Sequence, residues 1–136
     1  MKKVFVSGVV SAVVILSLTA WQKAPAVNLK ASMERGKNSY TLYCMSCHME
    51  QGEGLEGVYP PLAKSDYLMA DKKRSIIQTI KGASGEMKVN GKVYNGEMTG
   101  FDLTDEEISD LLNYVRNSFG NKGGVITPAE VKAARK

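Results

Sequence analysis

The sequence predicts an all-α domain of about four to five helices with one small β-hairpin, on three observations. Several stretches repeat apolar residues at helical spacing behind recognisable caps. Asn90-Gly91, the preferred two-residue hairpin turn, stands between two short strand-like runs. No alternation of strands and helices announces a parallel sheet.

The first helix runs through "MERGKNSYTLYC", with Ser32 as its expected N-cap. Met33, Gly36, Tyr40 and Tyr43 form its apolar stripe, in which a glycine costs about 1 kcal/mol against alanine unless another helix crosses there. Gly52, Gly54 and Gly57 follow in a loop that Pro60-Pro61 stiffens. "DKKRSIIQTIKG" is the next helix, with Asp71 as cap, Ile76, Ile77 and Ile80 inward and Gly82 as stop. "KVNGKVYNG" is the hairpin, too short to stand alone, so it must lean on the rest.

"LTDEEISDLLNYVRNSFGN" is the strongest helix. Thr104 and Glu107 form a capping box, Leu103 can staple onto Ile108, and Gly120 is the expected end. Ile108, Leu111, Leu112, Val115 and Phe119 are its buried face. A last helix begins at "TPAEV", capped by Thr127 with Glu130 and carrying Pro128 in its first turn.

Two units are expected. Residues 1–26 read as a signal peptide or N-terminal membrane anchor: two lysines, then an uncharged run over residues 4–22 and a possible "APA" cleavage site. Residues 27–136 form the functional domain, expected outside the cytoplasm, in the periplasm, soluble or anchored to the inner membrane through residues 4–22. The 136-residue chain has net charge +4. Without residues 1–26, 15 Lys and Arg face 14 Asp and Glu, so the basic excess belongs mostly to targeting and nothing argues for nucleic acid.

The chain's two cysteines and single histidine fall within five residues, Cys44, Cys47 and His48. A redox disulfide would sit at the mouth of a βαβ unit, which is lacking. Structural zinc wants about four Cys or His ligands, and the chain holds three such residues. Cys-x-x-Cys-His is the attachment signature of haem c: the two thiols form thioethers with the porphyrin vinyls and the histidine meets the iron. Behind an export signal the motif gains weight.

With one histidine in the chain, a second histidine ligand from the same subunit is excluded, and so is a distal peroxidase histidine. A methionine thioether is the strong remaining sixth ligand. Met98, in the glycine-rich "YNGEMTGF" with Tyr94 and Phe101 nearby to exclude water, leads; Met87 is second, and Met69 is expected to pack. Leu62, Leu68, Ile76, Ile77, Ile80, Tyr94 and Phe101 are expected around the ring. Lys64, Lys72, Lys73 and Arg74 could form a basic rim for steering a partner.

The order of "RGKNSYTLYCMSCH", "YPPLAKSDYL", "VNGKVYNGEM" and "LTDEEISDLLNYVRNSFGN" resembles the class I c-type cytochromes over nearly all of residues 30–120. It is especially similar to bacterial domains that partner or are fused to copper nitrite reductases, dehydrogenases and oxidases. The resemblance implies the cytochrome c fold around one covalent haem, with the first and last long helices crossing near Gly36 and Tyr114. It also implies a proline carbonyl, that of Pro60, accepting the second ring N–H of His48. Many relatives carry proline directly after the ligand methionine; this chain has Thr99, which predicts a less rigid loop.

The function expected is single-electron transfer between respiratory redox proteins, without catalysis by the chain itself. The alternatives are a haem protein with an open iron face, acting on gases or peroxide, and a fixed haem subunit of a membrane respiratory complex.

Overall fold

The structure is a computed structural model, and it describes residues 26–136. The expected leader and the apolar run of residues 4–22 lie outside the described residues. Among the described residues no helix is long and apolar enough to cross a membrane.

Helix α1 spans Leu29–Tyr43 and starts one turn earlier than expected, because Asn28 takes the cap and accepts the Ala31 N–H at 3.2 Å. Ser32 is therefore free for another task. It is fully buried, and its hydroxyl donates to Asp110 Oδ1 at 2.6 Å on α5, Asp105–Val115. Arg35 adds two bonds to the same carboxylate, at 2.6 and 2.9 Å. Where the helices cross, α1 presents Gly36. A Cβ there would lie 1.9 Å from the Asp110 carbonyl oxygen and 2.9 Å from Tyr114 Cβ, so the cost of a mid-helix glycine is offset by close approach.

Helix α2, Met45–His48, is a single turn after α1. Helix α3, Asp66–Ala70, is another short one, capped by Ser65; at five residues it carries too little periodicity to read from sequence. Helix α4, Lys72–Lys81, has the expected Asp71 cap and Gly82 stop. Thr104 and Glu107 form the capping box of α5 as expected. The helix ends at Val115 rather than Gly120, because the Asn121 side chain captures the Val115 carbonyl at 2.9 Å and the chain turns away.

Helix α6, Pro128–Ala134, keeps its Thr127–Glu130 box and lies on the domain. Val131 and Ala134 join Ile76, Ile108, Leu112 and Ile126 in one core cluster, with Ile77 and Ile80 against it. Burial on this scale is worth about 2 kcal/mol per large aliphatic side chain. Tyr40, Leu68, Leu111 and Val115 form a second cluster, backed by Met69, Tyr114 and Phe119.

The hairpin pairs β2, Met87–Val89, with β3, Lys92–Tyr94, around Asn90 and Gly91, both at positive φ. What it leans on is the start of α3: the Asn90 and Asp66 side chains each accept the other residue's backbone N–H, at 3.0 and 2.7 Å. Two further strands, β1 (Gly82–Ala83) and β4 (Met98–Thr99), pair antiparallel. They tie the segment expected to be a loose glycine-rich loop to the end of α4.

Candidate functional site

Cys44 closes α1, donating its N–H to the Tyr40 carbonyl, and the next turn carries Cys47 and His48 beside it. That turn is held at its end by the Tyr40 hydroxyl, which donates to the Met49 carbonyl at 2.5 Å. Both cysteines are half-buried and unbridged. Burial, with Cys47 adjacent, pushes the Cys44 thiol up to about 12. A dithiol redox centre needs the opposite shift.

His48 is buried at 8 % exposure, and its Nδ1 lies 2.9 Å from the Pro60 carbonyl oxygen. A carbonyl can only accept, so Nδ1 carries the proton and Nε2 keeps its lone pair. Burial lowers the imidazole pKa, with the Pro60 bond opposing, so the ring is held neutral. The carbonyl is brought into place by a loop that folds back on itself. Gly54 sits at φ +65°, and a Cβ there would lie 2.4 Å from the Tyr59 oxygen and 2.8 Å from that of Pro60.

Cys44, Cys47 and His48 line a mainly apolar cavity of about 320 Å³. Pro60, Leu62, Tyr94, Met98 and Phe101 line it too, as do Leu68 and Met87. Of the residues expected to hold or surround the ring, all but Ile76, Ile77 and Ile80 thus meet at one cavity. Met69 packs in the second cluster instead.

The isoleucines depart from expectation. Ile76, Ile77 and Ile80 face the α5–α6 cluster, and α4 turns Ser75, Gln78 and Thr79 to the cavity. The reason is α6, which supplies a competing apolar surface on the far side of α4. The polar face is made compatible by local bonds: Ser75 and Thr79 hydroxyls donate to backbone carbonyls, and Gln78 Nε2 donates to the Tyr67 hydroxyl at 2.9 Å. Tyr43, Tyr67, Gln78 and Leu111 are cavity residues that sequence reasoning missed. For Leu111 the signal was present, since one apolar stripe on α5 can serve two cores.

The basic rim is also changed. Lys72 Nζ donates to Glu130 and to the Val125 carbonyl, both at 2.7 Å, and Arg74 stacks on the Tyr67 ring at 3.7 Å. Each has an intramolecular task, which leaves Lys73 and Lys64 as the exposed cations of that group.

Comparison with known proteins agrees with this geometry. The family model described as cytochrome c matches residues 33–119. The chain is 35% identical over 102 residues to cytochrome c-552 of Thermus thermophilus, covering 68% of this chain and 78% of that protein. It is 29% identical over 103 residues to the cytochrome c subunit of a quinone alcohol dehydrogenase from Gluconacetobacter polyoxogenes, covering 74% of this chain but 22% of that subunit. The fructose dehydrogenase cytochrome subunit of Gluconobacter japonicus is 27% identical, again over 22% of its length.

The residues at the cavity suit the group this family carries: an apolar lining, two free thiols one turn apart, and a neutral imidazole whose Nε2 is unprotonated. On motif, cavity and matched family together, this chain belongs to the cytochrome c family, an electron-transfer protein with haem c attached covalently through Cys44 and Cys47.

Proposed function

We propose that the chain is a single-haem electron carrier working in the periplasm, not itself catalytic, in which His48 Nε2 and Met98 Sδ would ligate the iron. The observation that carries this reading is the 2.9 Å contact of His48 Nδ1 with the Pro60 carbonyl. It fixes the tautomer, orients the ring and raises the basicity of Nε2. When bound, haem c supplies reversible one-electron exchange, and a methionine ligand would raise its potential.

The chain's own groups have three tasks. His48 Nε2 and Met98 Sδ, which both line the cavity, would hold the iron of the bound group. Leu62, Tyr94 and Phe101 exclude water, which disfavours the extra positive charge of the oxidised state. Tyr43 and Val58 line the cavity and are also exposed, at 41% and 46%, which makes them the apolar contact through which a redox partner would approach. Lys72 and Arg74 being engaged, steering by charge is weak and the contact transient. Export is supported by residues 1–26, whose charge and hydropathy are those of a leader.

Absorption spectra of the matured protein test the ligands. Wild type should show c-type bands, the weak far-red band of methionine-bound ferric iron, and no carbon monoxide shift when reduced. Met98→Ala should lose the far-red band and bind carbon monoxide, while Met87→Ala should keep it. A wild type that lacks the band and binds carbon monoxide overturns the assignment and favours gas or peroxide chemistry.

The similarity to dehydrogenase cytochrome subunits favours a second reading, a fixed haem subunit of a larger respiratory enzyme. Isolation of the chain from membranes in stable association with an enzyme would support it. A freely soluble, cleaved product supports the carrier.

A further inference from the structure

The segment that bears Met98 is fastened to the end of α4 by backbone alone. Gly82 and Ala83 pair with Thr99 and Met98, and the Phe101 N–H donates to the Thr79 carbonyl at 3.0 Å. Two glycines make the approach possible. A Cβ on Gly100 would lie 2.3 Å from the Ile80 oxygen and 2.7 Å from the Gly82 nitrogen; one on Gly82, at φ +87°, would lie 2.4 Å from the Met98 oxygen. Ala83 and Met98, opposite each other in the pairing, both line the cavity. Helix α4 is anchored in turn by Ile76, which is 2% exposed in the α5–α6 cluster.

We propose that Gly82 and Gly100 form a positioning lock for Met98, which keeps its thioether on the iron where no proline follows the methionine. A loop free to swing would leave the iron open for part of the time. A backbone zipped to a buried helix holds the side chain's starting point fixed, so opening requires the pairing to break. The lock rests on the reading of Met98 as sixth ligand. It predicts that Gly82 and Gly100 act through Met98 and are not themselves in contact with the haem.

The test is imidazole binding to the ferric holoprotein, because imidazole competes for the methionine's position and its apparent affinity scales with the open fraction. Gly100→Ala should weaken the far-red band and raise imidazole affinity by about tenfold or more. Gly124→Ala, at a glycine with open space around its Cβ position, should change neither. Gly100→Ala with wild-type band and affinity overturns the lock. If Met98→Ala keeps the far-red band, it is the ligand reading that falls. Should Gly100→Ala fail to mature, hydrogen exchange in the wild-type holoprotein decides. The Phe101 amide should exchange as slowly as the amides of Ile76 and Ile80; exchange at the rate of an open loop overturns the proposal.

Discussion

At the scale of single residues, backbone contact sets the sharpest constraint. Gly36 touches the α5 backbone so closely that a methyl group must push the two longest helices apart, and overpacking of this kind costs about 3 kcal/mol. Gly36→Ala should lower the urea midpoint of the holoprotein accordingly, while Gly124→Ala leaves it unchanged; equal midpoints would mean that the crossing yields without cost. The importance of Gly36 could be read from sequence, since a glycine inside an apolar stripe asks for a crossing. Its partner Asp110 could not: an acid on a helix reads as solvent-facing until Ser32 and Arg35 are seen to satisfy it. The candidate site divides in the same way. Cys44, Cys47 and His48 fall within five residues, so local spacing was enough to find them. Tyr67 and Gln78 reach the cavity from elements whose mutual rotation no local pattern records.

At the scale of elements, the helix starts are local chemistry. The Thr104–Glu107 and Thr127–Glu130 boxes are four-residue patterns, legible before any fold is known. The β1–β4 pairing joins two-residue strands whose partners, Ala83 with Met98 and Gly82 with Thr99, are distant in sequence, with no alternation to betray it, and it converts a presumed loop into a fixed support. The caps also carry a pH dependence. The Thr104 hydroxyl and backbone N–H both donate to the Glu107 carboxylate, at 2.7 and 2.8 Å, and lower its pKa below the ordinary 4.5. At the start of α4, the Arg74 backbone N–H does the same for Asp71, below 3.8. A depressed folded-state pKa means that the unfolded chain takes up the proton first. This stabilisation is therefore complete above about pH 5 and is lost as pH falls through 4.5 and 3.8 towards the folded values. Thr104→Ala should cost about 1 kcal/mol at neutral pH. It should also flatten the acid limb of a stability–pH curve; an acid limb parallel to wild type would show that the box contributes no such linkage.

At the scale of the whole molecule, α5 serves two interiors at once. Ile108 and Leu112 face the cluster closed by α6, and Leu111 and Val115 face the cluster beside the haem cavity. The first interior is completed by protein alone. The second surrounds about 320 Å³ that protein does not fill. The cavity opens to solvent, so without a group in it Leu62, Leu68 and Tyr94 would stay wetted, and each Å² of apolar surface left exposed forgoes roughly 25 cal/mol. That loss weighs against the roughly 5–15 kcal/mol by which a domain is stable at all. Haem attachment is thus predicted to be a condition of the fold. A Cys44→Ala, Cys47→Ala double variant, exported without covalent haem, should keep part of its helical circular dichroism and lose its sharp thermal transition. The α5–α6 face, which needs no cofactor, should hold the most slowly exchanging amides that remain. A haem-free variant that unfolds cooperatively near the holoprotein's midpoint would show instead that the helices close over the cavity by themselves, and that the haem is carried by a scaffold already complete.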